Sequence, residues 1–168
     1  AVMLSAETAT GKHPALVVET MARIICVAEE RLRTLPVSAN QPVTLTLEHR
    51  GVAALAHGAW AVANELGARV VICWSQNGGT ARYLSQNRFH IPILAYSSNR
   101  RSAQRMALLR GVTPICTDPP GDGTLAAWNA AVDSELRIRN LAVDNDPIIL
   151  LAGRPLGRAN ATNPLALS

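Results

Sequence analysis

A polar stretch containing two glycines, "SQNGGTA", is the first candidate for chemistry in this sequence. Its candidate ligand-binding residues are Ser75, Asn77, Gly78, Gly79 and Thr80. The stretch follows an apolar run and precedes a helix-compatible segment, so its backbone N–H groups would lie at a helix N-terminus. Free N–H groups and the positive end of a helix dipole favour a bound anion. The stretch therefore predicts a loop that binds a phosphate group.

A second stretch, "AGRPLGRANATN", follows a later apolar run and brings Arg154, Gly157 and Arg158. Arginine side chains are strong partners for phosphate, and glycines let a backbone approach a ligand closely. A glycine pair ahead of a helix is also common as a simple turn, so either stretch alone is a weak signal. Together they predict a pocket for a phosphorylated small molecule.

The elements that must position these two stretches form an α/β pattern. Four continuous apolar runs, "RVVICW", "IPILAY", "VTPIC" and "PIILLA", alternate with helix-compatible segments. Continuous apolar runs are typical of strands buried on both faces, and strand–helix alternation predicts parallel strands joined by crossover helices. We predict a small, doubly wound, mostly parallel α/β domain over residues 47–168, with a short final strand at 164–168. Ligands of such sheets bind outside the carboxyl ends of the strands, where both stretches lie.

Residues 1–36 have a different character. Pro14 suits the first position of a helix, and Val17, Met21, Ile24 and Ala28 then fall on one helical face. A segment with two prolines follows, and its residues 37–46 are predicted to link the helix to the α/β domain. The apolar face of this helix must be buried against another element.

The composition and charge of the sequence exclude several further classes of protein. The sequence is 48% hydrophobic and 17% charged, which is typical of a globular protein, and its apolar runs are too short to span a membrane. Three scattered cysteines predict a reducing, cytoplasmic location without disulfides or a metal site. The net charge of +4 comes almost entirely from arginines, which are dispersed along the sequence. We therefore predict neither a membrane nor a nucleic-acid partner.

The three tryptophans are interpreted mainly as packing residues. Trp60 and Trp128 fall on predicted helices, where they are expected to pack into the core. Trp74 ends a predicted strand beside the candidate pocket, so it either packs or stacks against a ligand.

Three motifs carry a resemblance to a known family. "AVMLSAETATGKHP" resembles the segment of pyruvate kinases that ends their catalytic barrel, commonly written MLSxETAxGxYP. "ALLRGVTPI" resembles their LYRGVxP stretch, and "ATN" near the end resembles their terminal TN motif. The three occur in family order and spacing over essentially the whole chain. The resemblance implies the last strand, loop and helix of a (β/α)8 barrel over residues 1–36, followed by the C-terminal domain.

The resemblance also implies roles for individual residues. Ser5 and Glu7 fall at the serine and glutamate that in the family belong to the polar network near the site of enol proton transfer. A hydroxyl beside a carboxylate can relay a proton, and barrel active sites lie at the carboxyl ends of the strands. The alternative for Ser5, Glu7 and Thr8 is local hydrogen bonding at a helix entry.

The same comparison implies what this chain lacks. Phosphoryl transfer needs positioned cations, and the family's catalytic lysine, arginine and acidic metal ligands come from barrel segments absent here. The only lysine, Lys12, is not at the catalytic position. We predict that this chain binds no cofactor itself, whereas Mg²⁺ and K⁺ are expected for the full-length enzyme. At the first effector loop the family often has an arginine where this chain has Gly79, so one phosphate partner is missing.

The sequence therefore predicts the C-terminal region of a pyruvate kinase, which transfers phosphate from phosphoenolpyruvate to ADP in the full enzyme. This region is expected to bind a phosphorylated allosteric effector and to make the contacts of a homo-oligomer. The alternative is a stand-alone module that senses a sugar phosphate or a nucleotide without catalysis.

Overall fold

The chain divides into two units, Ala1–Ala39 and Asn40–Ser168. A computed structural model describes residues 2–34, 50–121, 124–153, 156–157 and 162–167, with only the backbone described at 33, 50 and 162–167. The predicted linker, 37–46, lies outside the described residues. The two units are taken in turn.

The first unit contains a short helix, α1, at Ala6–Ala9 and a long helix, α2, at Pro14–Thr34. Pro14 begins α2 as predicted, since its fixed φ suits a first helical position. Residues 2–5 have no regular structure in this chain, and the barrel strand predicted at its start stays a prediction. A barrel strand exists only through hydrogen bonds to its neighbours, and the described part of the first unit has only helices.

The apolar side of α2 differs from the predicted face. Val17, Met21 and Ile25 are half-buried and follow a strict spacing of four. Ile24, which was predicted to share their face, is 57% exposed, and Val27 is 73% exposed. Several large apolar side chains of α2 are thus open to solvent in this chain.

The second unit is built on a five-stranded sheet with the order β3-β2-β1-β4-β5. Its strands are β1 (Val70–Trp74), β2 (Ile93–Ser97), β3 (Val112–Cys116), β4 (Ile148–Gly153) and β5 (Thr162–Leu167). Its helices are α3 (Arg50–Leu66), α4 (Gly79–Gln86), α5 (Arg100–Met106) and α6 (Leu125–Ile138). Each of the four predicted apolar runs forms a strand.

The topology confirms the predicted doubly wound, mostly parallel α/β fold. Strands β1 to β4 are parallel to one another, and β5 pairs antiparallel with β4 at the sheet edge. Helices α3, α4 and α5 contribute to the core on one face of the sheet, whereas α6 covers the other face. The final strand begins two residues earlier than predicted and ends at Leu167.

Strand β3 forms the other edge of the sheet, and its backbone discourages further pairing. The N–H of Ile93 donates to the carbonyl of Gly111, and the N–H of Thr117 donates to that of Ser97. By alternation, Pro114 turns its backbone away from β2, where its missing N–H interrupts the edge. A proline at this position protects an edge against association, so β5 is the edge better suited to a partner.

The cysteines are more exposed than their apolar neighbours suggested. Cys26 and Cys116 are exposed, and only Cys73 in β1 is buried. Burial raises the pKa of the Cys73 thiol to about 12, which keeps it protonated and unreactive. Among the described helices, none has the length and apolarity that a membrane-spanning segment requires.

Candidate functional site

A crevice is expected where the strand order of the sheet reverses, between β1 and β4. These two strands are parallel neighbours, with Val70 opposite Ile148 and Cys73 opposite Leu151. The chain leaves β1 toward β2 on one side and leaves β4 toward β5 on the other. Open α/β sheets bind ligands outside the carboxyl ends of strands at such a point. The two predicted stretches follow β1 and β4, although Arg154 and Arg158 lie outside the described residues.

The two hydroxyl residues of the first stretch face inward. Ser75 is 3% exposed, and its Oγ accepts a hydrogen bond from the N–H of Ala81 at 3.2 Å. Thr80, the second residue of α4, is 5% exposed. Ser75 therefore caps the first turn of α4 from outside the helix, which is a structural role. Both side chains are buried, and their predicted role in phosphate binding stays a prediction.

The surface of the first loop is instead formed by backbone and by Asn77. Gly78 has φ of +82° and precedes α4, which begins at Gly79. A Cβ at Gly78 would lie 3.3 Å from Cγ of Met106, whereas a Cβ at Gly79 would meet nothing within 4 Å. Asn77 and Gly79 are exposed. Within the first turn of α4, the N–H of Ala81 already donates to Ser75 and that of Arg82 to the carbonyl of Gly78, so Gly79 is the place where α4 can present a backbone donor.

Gln76 fixes this loop to the end of β2, a role that sequence reasoning missed. Its Nε2 donates to Oγ of Ser98 at 2.7 Å, and its Oε1 accepts from Nε1 of Trp74 at 3.1 Å. The hydroxyl of Ser97, which is fully buried, donates to the backbone carbonyl of Gln76 at 2.9 Å. The same Ser97 Oγ accepts from the N–H of Asn99. No sequence motif signals this network, because its members lie on two strands that only the fold brings together.

Three aromatic rings pack against one another next to this hydrogen-bond network. Trp74 stacks on Tyr96 with centroids 6.1 Å apart, and Trp128 meets both rings edge-on at 5.9 and 5.6 Å. Trp74 is 3% exposed, so the structure supports its packing role over a stacking role toward a ligand. Trp128 is buried in α6 as predicted, and Trp60 is half-buried in α3.

Gly157 lies after β4, at a place where only glycine fits well. Its φ is +82°, and a Cβ there would lie 2.9 Å from Cγ of Pro119. The adjacent Leu156 is buried in the core beside α6. The described part of this second stretch is therefore anchored against the segment that follows β3, and Gly157 serves that packing.

Ser5 and Glu7 do come together, but in a local arrangement. The N–H and Oγ of Ser5 both donate to Oε2 of Glu7, at 3.0 and 3.2 Å. Hydrogen bonds from the backbone N–H of Glu7 and from Ser5 lower the pKa of the Glu7 carboxyl below 4.5. The hydroxyl of Thr8 donates to the carbonyl of Ser5 at 3.2 Å. These contacts match the helix-entry alternative, and the proton-transfer role stays a prediction.

The described residues contain no group of three acidic, histidine or cysteine side chains that could hold a metal ion. Glu7 is a single carboxylate hydrogen-bonded to its own helix entry, which does not make a Mg²⁺ site. No step that depends on a metal is therefore assigned to this chain.

Comparison with known proteins connects this architecture to one family. Residues 53–167 match the family described as pyruvate kinase, alpha/beta domain. The chain is 36% identical to pyruvate kinase II of Salmonella typhimurium and 33% identical to a pyruvate kinase of Agrobacterium vitis. These matches cover 97% and 100% of the chain but only 33% and 35% of those proteins. The chain thus spans about a third of the length of the curated relatives it matches.

The aromatic cluster yields a test through Tyr96. Its hydroxyl is buried and, among the described residues, has no hydrogen-bond partner. Replacing Tyr96 with Phe removes an unpaired polar group, so we expect the free energy of unfolding at neutral pH to rise by about 1 kcal/mol. Chemical denaturation of both proteins measures this change. A loss of more than about 1 kcal/mol would show that the hydroxyl makes a contact in solution.

The pH dependence of the same pair provides the control. Burial, and then the charge of Glu135, raise the pKa of Tyr96 to about 12. A raised pKa contributes stability that is complete below the unfolded value near 10 and is lost as pH rises through about 12. Tyr96→Phe should lack this alkaline loss, whereas Tyr83→Phe, which keeps Tyr96, should retain it.

Proposed function

This chain belongs to the pyruvate kinase family, and we propose that it serves as the C-terminal regulatory and assembly region of a pyruvate kinase. In the complete protein the reaction would transfer phosphate from phosphoenolpyruvate to ADP in the cytoplasm, with Mg²⁺ and K⁺ as cofactors. The observation that carries the proposal is the match of residues 53–167 to the family's α/β domain. The alternative remains a stand-alone sensor of a sugar phosphate or nucleotide.

The exposed apolar side of α2 favours the enzyme over the sensor. Leu16, Ile24 and Val27 are each more than half exposed and lie on one side of this helix. Large apolar side chains on one helix are usually covered by another part of the protein. A catalytic barrel encoded before residue 1 would supply such a cover, whereas a stand-alone module would leave these side chains in water.

The first test is enzymatic. The complete reading frame that contains this chain should encode a protein that forms pyruvate from phosphoenolpyruvate and ADP with Mg²⁺ and K⁺. The isolated chain should show no turnover in the same coupled assay, because the cations for phosphoryl transfer are expected from other segments. A reading frame that starts at residue 1, or turnover by the isolated chain after repurification, would contradict the proposal.

We further propose that the crevice between β1 and β4 binds a phosphorylated effector mainly through a backbone N–H group at the start of α4. The inward orientation of Ser75 and Thr80 leaves the open position at Gly79 as the place where a side chain could contact the ligand. The family often has an arginine there. Its absence predicts weak binding in this chain.

Gly79→Arg tests this directly. The new guanidinium would have open space and would add a charge-assisted hydrogen bond of about 1.5–3 kcal/mol, so affinity should rise by about tenfold to a hundredfold. Calorimetric titration with ribose 5-phosphate, AMP and fructose 1,6-bisphosphate measures the change. Gly79→Gln, of similar length but uncharged, is the matched control. An unchanged affinity in Gly79→Arg would place any ligand elsewhere and leave the family assignment intact.

The third part of the proposal is a homo-oligomer that uses β5. This strand ends the sheet, and the opposite edge carries the outward-facing Pro114. Two copies could pair their β5 edges about a two-fold axis, which is the commonest symmetry of homodimers.

Light scattering tests the oligomer across a range of protein concentrations. We expect a mass of at least twice 17.9 kDa at high micromolar concentration. A monomer throughout that range would contradict the proposal for this chain.

A further inference from the structure

The middle of the second unit carries an unbalanced concentration of positive charge. Between Glu65 and Asp118 the sequence has seven arginines and no acidic residue. All seven are exposed in the structure; Arg69 pairs with Asp146 elsewhere, and the others are Arg82, Arg88, Arg100, Arg101, Arg105 and Arg110. These six lie on or directly beside α4 and α5, which cover the same face of the sheet. Residues that are dispersed along the sequence thus share one surface, here named the arginine surface.

Contacts between the two helical segments hold this surface together. The N–H of Arg88 donates to the carbonyl of Ser85 at 3.4 Å, and the hydroxyl of Ser85 donates to the carbonyl of Arg110 at 2.8 Å. The chain at the end of α4 and the chain after α5 therefore meet at one buried serine. On α4 itself, the guanidinium of Arg82 lies 6.0 Å from the ring centroid of Tyr83. The two segments that carry the arginines are therefore joined on the same side of the sheet.

The placement of these charges works against the stability of the isolated protein. Arg100 and Arg101 occupy the first turn of α5, which contains no acidic residue, so two cations lie at the positive end of its dipole. Arg101 and Arg105 are four residues apart on one exposed face, a spacing at which like charges repel. Local features that oppose folding are typical of functional surfaces. An external anion would relieve both conflicts.

On the opposite face of the sheet, which α6 covers, arginines pair with acidic residues. On and after α6, Arg137 pairs with Asp144 and Arg139 pairs with Glu135. Among the described acidic residues of the second unit, Asp133, Glu135, Asp144 and Asp146 lie on or after α6. The two faces of one small domain thus differ in electrostatic character.

We propose that the arginine surface binds a polyanion whose charges are phosphates, such as a nucleic-acid backbone or an inorganic polyphosphate chain. A protein partner fits less well, because protein interfaces have apolar centres depleted of charge. Within residues 79–110, all of which the structure describes, Leu108 is the one exposed large apolar side chain. Guanidinium groups bind phosphate bidentately, and repeated phosphates match repeated arginines. The dispersed sequence positions had led us to expect no nucleic-acid partner; their convergence in the fold changes that expectation.

The experiment measures binding of the complete chain to three polyanions by fluorescence anisotropy as salt is varied. The probes are a labelled 20-nucleotide oligothymidylate, inorganic polyphosphate as a competitor, and poly-glutamate as a carboxylate competitor. We expect the oligonucleotide to bind and polyphosphate to displace it, with poly-glutamate at least tenfold weaker. If polyphosphate displaces but the oligonucleotide alone does not bind, the inorganic chain is the source of the phosphates. Affinity should fall steeply with salt because bound phosphates release counterions.

Arg101→Glu separates binding from folding, because the two should change in opposite directions. The new carboxylate suits the first turn of α5 and can pair with Arg105, so the midpoint of urea unfolding should rise. Loss of one phosphate contact should weaken binding by about fivefold or more at 0.1 M salt and flatten the salt slope by about 0.7. The double variant Arg82→Gln/Arg105→Gln, which spans both helices, should weaken binding by about 25-fold.

Arg137→Glu on the opposite face is the matched control, since it changes the net charge by the same amount. It should leave the affinity within about twofold and should not stabilise the fold, because it breaks the pair with Asp144. Equal losses in Arg101→Glu and Arg137→Glu would mean that only net charge matters, which overturns the proposal. Absence of binding to all probes, or poly-glutamate competing as well as polyphosphate, would also overturn it.

Discussion

The parallel pairing of β1 with β4 is the interaction on which the second unit depends. All five residues of β1 are buried, and the strand is hydrogen-bonded to β2 on one side and β4 on the other. A strand buried on both faces needs helices on both faces, which α4 and α6 provide. The order of the strands reverses at this pair, and open α/β sheets are expected to bind ligands at the carboxyl ends of the strands at such a point. One register of hydrogen bonds thus sets the core, the layers and the place of the candidate site.

The polar side chains at the loop after β1 are used largely in hydrogen bonds within the protein. Ser75 caps α4, Ser97 holds the backbone of Gln76, and the Gln76 side chain bridges Trp74 and Ser98. Buried hydroxyls and amides must find partners, and these residues find them in one another. The loop after β1 is therefore ordered by its own contacts before any ligand arrives. A ligand at this loop would meet a preformed surface, which lowers the ordering cost of binding but leaves few side-chain contacts to gain.

The strands and helices of the second unit could be predicted from sequence because their signals are local. Continuous apolar runs identified β1 to β4, and Pro14 marked the start of α2. The orientation of Ser75 and Thr80 could not be predicted, because a residue at a helix entry faces inward or outward according to what packs beneath it. The barrel strand expected at residues 1–4 stays a prediction, since a strand forms only through hydrogen bonds to neighbouring strands. Pairings across the sheet, such as Gln76 with Ser98, leave no pattern in a single sequence.

The clustering of arginines on one surface could likewise not be predicted from the sequence. Arg82 and Arg88 lie far from Arg101 and Arg105 in the sequence, which is why these arginines looked dispersed. Right-handed crossovers place α4 and α5 on the same face because β1, β2 and β3 follow one another in one direction across the sheet. The connection after β3 instead leads to β4 on the far side of β1, so α6 covers the opposite face and carries acidic residues with it. The same reversal that sets the place of the candidate site therefore also separates the charges, and a chain with a modest net charge acquires one strongly cationic face.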